Sequence, residues 1–174
     1  MPPLPVLHPT SRKALWNLFQ NGQAVRLGTY LCELARRGHT NLISTFDDHP
    51  LADDWQDFAW MCLKEHFSRT EGTVYVVTNP VHANLYKIGQ TRGAVAERIK
   101  SLDSAGVVGY FVPVACRQVA DRFAVEVAVR RALRLKEGRQ THKEFVACTW
   151  EEAIAALEAE AARETEVMTQ FRTW

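Results

Sequence analysis

The sequence lacks any apolar run of about 18 residues, the length a membrane-spanning helix needs, and it opens on MPPLPVLHPT, without the charged-then-apolar layout of a secretory signal. The expectation is a cytoplasmic protein with no membrane partner. Cysteine is sparse and scattered. Cys32, Cys62, Cys116 and Cys148 form no CxxC pair, so neither a zinc knuckle nor a disulfide framework is indicated, and reduced thiols follow. No internal repeat or low-complexity tract is present. The 174 residues, 47% of them hydrophobic, suffice for one well-packed domain with an appendage, or for two small domains. Net charge is nearly absent, at +1, but the average hides a segregation. Between Lys87 and Lys143 stand twelve Lys and Arg against five Asp and Glu, and between Glu144 and Glu166 seven Glu stand against Arg163 alone. The first stretch is as basic as many phosphate-binding surfaces, although ordinary solvated helix faces produce the same counts.

Apolar spacing divides the chain near residue 70. Before it the pattern is helical: SRKALWNLFQNG, with Thr10 or Ser11 as cap and Gly22 as stop; AVRLGTYLCELARRG, ended by Gly38; and LADDWQDFAWMCLKEHFSR, with acids in its first turn. A short strand is expected at Leu42 to Thr45. After residue 70 strands alternate with helices. Strands are expected at Thr73 to Thr78, Leu85 to Gly89, about Tyr110 to Arg117, and Glu144 to Ala147. Helices are expected at Ala94 to Leu102, Asp121 to Leu135 and Trp150 to about Thr165, with Asp121 and Thr149 as N-caps. The short Asn79-Pro80 turn makes the first two strands antiparallel. The fold class is α+β, a small mixed or antiparallel sheet of three to four strands flanked by helices, with an all-helical N-terminal appendage. The expected division is residues 1–70 helical, 71–158 the strand-helix domain and 159–174 a helical tail.

The hairpin TVYVVTNPVHANLYKIGQT carries a tyrosine, Tyr75, on one strand and a lysine, Lys87, on the other. Farther on, Arg122, Glu126, Arg130 and Arg134 form a polar stripe at four-residue spacing on a helix otherwise wrapped in apolar side chains. Such a stripe suits i, i+4 ion pairs and equally suits a carboxylate beside phosphate-binding arginines. Cys62 and His66 stand one helical turn apart in the appendage, and two such residues alone do not make a metal site.

Taken in order, VYV at Val74 to Val76, KIG at Lys87 to Gly89 with Thr91 two residues on, ERIKSL at Glu97 to Leu102, Glu126 on a helix and the closing pair Glu144-Phe145 resemble the GIY-YIG nuclease superfamily. The resemblance is to its phage and bacterial VYV…KIG…ER branch. It covers about Gly72 to Leu157, and its motifs are specific through order and spacing rather than singly. It implies an endonuclease that hydrolyses DNA phosphodiester bonds with Mg²⁺ or Mn²⁺. In that scheme Tyr75 helps deprotonate the attacking water, Lys87 stabilises charge on the phosphate, and Gly89 leaves room for backbone approach to the substrate. Arg98 faces the sheet and pairs two phosphate oxygens, with Arg92 as the fallback, and Glu126 holds the metal. Arg122, Arg130 and Arg134 bind nucleic acid. The branch often has histidine four residues after the glutamate. Here stands Arg130, which contacts phosphate but transfers no proton, with His82 and His142 as stand-ins. Two other readings stay open: a nucleic-acid-binding domain of this fold without catalysis, and a phage-type interaction protein whose N-terminal helical region docks on a host protein.

Overall fold

The period of the apolar residues changes at Gly72, and the architecture changes with it. A computed structural model of the chain describes residues 7–82, 84–103, 108–134, 141–142 and 145–172. They form two compact units, one made of the chain up to Arg69 together with the C-terminal segment from Glu166, the other of Thr70–Thr165. Among the described residues no helix is long and apolar enough to cross a membrane.

The helical unit contains α1 (Pro9–Gln20), α2 (Ala24–Arg36) and α3 (Ala52–Thr70, of which the last residue belongs to the other unit). The cap of α1 is His8 rather than Thr10 or Ser11. Its Nδ1 accepts from the Thr10 N–H at 3.2 Å, and Pro9 takes the first helical position, where a missing N–H costs nothing. The strand expected at Leu42 to Thr45 is instead a 3₁₀ turn over Ile43–Phe46. Asn41, at φ 57°, reverses the chain, and its carbonyl accepts from the Ser44 and Thr45 hydroxyls, both at 3.2 Å. The Ile43 carbonyl is then taken by the indole N–H of fully buried Trp55 at 2.6 Å. With Leu27, Leu31 and Leu63 these residues build a core around an aromatic cluster, in which Phe46 and Trp55 meet edge to face at 4.8 Å. Cys62 lies in it, and burial pushes its thiol up to about 11.

The sheet unit contains β1 (Gly72–Thr78), β2 (Leu85–Thr91), α4 (Val95–Leu102), β3 (Val112–Val119), α5 (Arg122–Arg134), β4 (Thr141–His142), β5 (Phe145–Ala147) and the start of α6 (Trp150–Arg172). Strand order is β3-β1-β2-β5-β4, with every pair antiparallel. The fold class expected from sequence holds, with the two-residue β4 as an additional strand. The alternation of β1 sorts the layers. Val74 and Val76 point to one face, where Val125, Val129 and Leu133 of α5 and Ala153 and Leu157 of α6 cover them. Tyr75 and Val77 point to the other, covered by Ile99 of α4. Asp121 caps α5, its carboxylate accepting from the Ala124 N–H at 3.0 Å, and Thr149 with Glu152 forms a reciprocal capping box on α6.

Helix α6 runs past the expected stop near Thr165 because Val167 and Phe171, one turn apart and each 3% exposed, belong to the helical unit's core. A fragment spanning residues 70–165 should therefore fold alone, since the β1 and α5 core lies within it. A fragment ending at residue 69 should not, because it lacks both side chains. Circular dichroism and thermal melts of the two fragments test this; a cooperative melt from the shorter fragment would contradict it.

Candidate functional site

The site on the sheet starts from register. Tyr75 stands opposite Gly89 and Val77 opposite Lys87, so the tyrosine and the lysine point to the same face, the one under α4. Phe145 stands opposite Lys87 on the next strand and joins that face. The Tyr75 ring lies across Gly89. A Cβ on Gly89 would sit 2.5 Å from the phenolic oxygen and 2.6 Å from its ring carbon. Glycine at this position is required by the tyrosine, whose side chain is 1% exposed, before any question of substrate arises. Lys87 places its ammonium 5.5 Å from the centre of the Phe145 ring, and Phe145 stacks on Phe111 with centroids 6.2 Å apart and planes 27° from parallel. Phe111, which entered no sequence motif, is held by its N–H donating to the Asp103 carboxylate at 2.8 Å.

The other expected residues are placed as follows. Arg98 is on α4 but exposed. It does not face the sheet; Ile99 is the buried residue of that helix, and the Arg98 guanidinium donates to the Ser101 hydroxyl at 3.2 Å. Arg92 is exposed in the turn before α4, where the Gly93 N–H donates to the Thr91 hydroxyl at 3.1 Å. Glu126 stands on α5, whose buried residues pack on the face opposite Tyr75. The register thus unites Tyr75, Lys87 and Gly89, places Arg98 on the helix over them, and sets the helix of Glu126 against the other face.

The stripe on α5 does not behave as a solvated face. Glu126 and Arg130 form an ion pair at 3.6 Å with side chains only 14% and 23% exposed. Arg122 leaves the stripe to bind the sheet, its guanidinium donating to the Gln90 side chain and to the Glu71 carbonyl, each at 2.8 Å, and lying 4.2 Å over the Phe123 ring. These hydrogen bonds fasten α5 to β2 and to the residue before β1. Arg134 is exposed. Phe123 and Val127, part of the apolar wrap of this helix, are 46% and 57% exposed, and Val125, Val129 and Leu133 are its buried residues.

Among the histidines, His82 is exposed in the hairpin turn, and the side chain of His142 lies outside the described residues, as does Glu144 of the closing pair. His66 lies 3.5 Å from the Thr29 hydroxyl. Among the described residues no group of three or more His, Cys, Asp or Glu side chains is placed to hold a metal ion.

The Tyr75 and Gly89 contact is open to direct measurement. Gly89→Ala should lower the unfolding free energy of the sheet unit by about 1–3 kcal/mol, the range for forcing a methyl group into a filled core. In a Tyr75→Leu background the same change should cost clearly less. Equal costs in denaturant titrations of both backgrounds would show that the ring is not the obstacle.

Neither a curated protein nor a solved structure matches the chain. A family model does match, over residues 72–160, which takes in every strand and the first two helices of the sheet unit. With more than half of its length inside that match, the chain belongs to the T5orf172 domain family, a phage-associated domain related to nuclease and DNA-binding families.

Proposed function

We propose that the sheet unit is a Mg²⁺-dependent endonuclease of the GIY-YIG kind, acting on DNA phosphodiester bonds in the cytoplasm. The observation that carries the reading is the hairpin register, which sets Tyr75, Lys87 and Gly89 side by side on one sheet face in a chain of the T5orf172 family. Lys87 would offset phosphate charge, and the exposed Arg92 and Arg98 suit contacts to the flanking backbone. Tyr75 is the group on that face able to take a proton from an attacking water. Glu126 would hold the metal. A carboxylate is a hard oxygen donor of the type Mg²⁺ accepts, and as a single protein ligand it fits an ion that keeps waters and takes phosphate oxygens from the substrate. When bound, the ion supplies a Lewis acid at the leaving oxygen.

Two observations favour a second reading, a nucleic-acid-binding domain without catalysis. Tyr75 is 1% exposed, and the Glu126 carboxylate is paired with Arg130 on a helix packed against the sheet face opposite Tyr75. Both readings share phosphate contacts from the basic segment between Lys87 and Lys143.

Plasmid cleavage separates them. With Mg²⁺ or Mn²⁺ the protein should nick or linearise DNA, and chelator should stop it. Glu126→Gln should abolish cleavage and leave DNA binding nearly unchanged, while Tyr75→Phe should slow turnover by roughly 10²- to 10⁴-fold, as expected for a lost proton-transfer group. DNA affinity should fall steeply with salt for every variant. Cleavage that survives Glu126→Gln overturns the metal assignment. Salt-sensitive binding without cleavage, from the folded wild type across metals and substrates, selects the second reading.

A further inference from the structure

A lysine side chain is a charge at the end of a long flexible stem, and holding it in one place costs rotamer freedom. In this fold the groups that hold it come from separate parts of the chain. The Lys87 ammonium lies over the Phe145 ring, 5.5 Å from its centre, within the range in which a ring face attracts a cation. Phe145 is the register partner of Lys87 on β5, so strand pairing brings the two side chains together. The Phe145 ring in turn stacks on Phe111, with 6.2 Å between centres. Phe111 packs against the buried cluster of Tyr75, Val77 and Ile99, and its N–H donates to the Asp103 carboxylate at 2.8 Å. A line of contacts thus runs from the core under α4 through two rings to the ammonium. Lys87, Phe111 and Phe145 are each half-buried, so core packing takes up only part of either ring.

We propose that Phe145, backed by Phe111, is a positioning residue for Lys87, holding its ammonium on the sheet face where a nucleic-acid phosphate would meet it. The inference rests on the reading of Lys87 as a phosphate contact and adds what keeps the lysine ready. A ring face attracts a cation without cancelling its charge, as a carboxylate would, so the attraction for an anion survives. The ammonium has three N–H donors and the ring meets it from one side, which leaves the other side for phosphate oxygens. A side chain already held in place loses less freedom when the phosphate arrives. The plainer alternative is that the ring only covers the methylene stem of the lysine. The two differ in whether the ring still matters once the charge is gone.

The test uses the full-length chain and a labelled DNA duplex, with chelator present to prevent cleavage and fluorescence anisotropy read over a range of salt concentrations. Lys87→Gln should weaken binding and lower the slope of log affinity against log salt by about one, the mark of one lost phosphate contact. Phe145→Leu, which removes no charge, should weaken binding by about threefold, the size of a cation–π contact at a partly exposed site. Phe145→Tyr keeps the ring and should retain the wild-type affinity. In the Lys87→Gln background Phe145→Leu should cost nothing further, since the ring then has no ammonium to hold. Thermal melts verify that each variant is folded, and Phe145→Met replaces Phe145→Leu if the latter is not. No loss from Phe145→Leu, tighter binding, an equal loss in both backgrounds, or a Phe145→Tyr variant as weak as Phe145→Leu overturns the positioning role and leaves the phosphate reading of Lys87 standing. Unchanged affinity and slope in Lys87→Gln, or no binding by the wild type at low salt, overturns both.

Discussion

The candidate site depends on one contact, the Tyr75 ring lying where a Gly89 side chain would be. It fixes the ring and, through the same hairpin register, places Lys87 two residues from Gly89 on the same face. A slip of one residue would turn Lys87 into the layer occupied by α5 and bring Ile88 out under α4. The large apolar side chains on both faces make that slip costly, so core packing sets the positions of lysine and tyrosine. Phe145 extends the surface for the same reason, being the register partner of Lys87 on β5.

The opposite face is organised by different means. Three aliphatic residues of α5 cover Val74 and Val76, and Arg122 fixes the end of the helix to the strands through Gln90 and Glu71. The part-buried pair of Glu126 and Arg130 belongs to this layer. Removing either partner leaves the other charge in a poorly solvated place, so stability and any catalytic role of Glu126 are entangled. The conservative Glu126→Gln change keeps the volume and hydrogen-bonding capacity and is the cleaner probe.

Strand alternation, the antiparallel hairpin and the capping residues Asp121 and Thr149 were all readable from the sequence, because each is decided within a few residues. What could not be read depends on partners far away in the chain. Arg122 fits a solvated stripe by spacing, yet its acceptors are 32 and 51 residues away. Gly89 reads as space for a substrate until the register shows Tyr75 opposite. The 3₁₀ turn at Ile43–Phe46 has the β-branched residues of a strand, and the hydroxyls of Ser44 and Thr45 divert it by bonding to Asn41. Phe111 carried no motif; its one signal was an aromatic pair, Tyr110-Phe111, at the start of a strand.

The continuity of α6 has a consequence for the birth of the protein. Residues 70–165 are synthesised before Val167 and Phe171, so the sheet unit has its whole sequence while the helical unit still lacks two buried side chains of its core. Domains usually mature in the order of synthesis. Here the order is inverted, and the first segment made is the last to be completed, with its apolar faces waiting through the translation of roughly a hundred residues at ≈ 5–20 per second. The nascent chain is thus most exposed to aggregation and to chaperones at its N-terminal end, and the last turns of α6 end that interval.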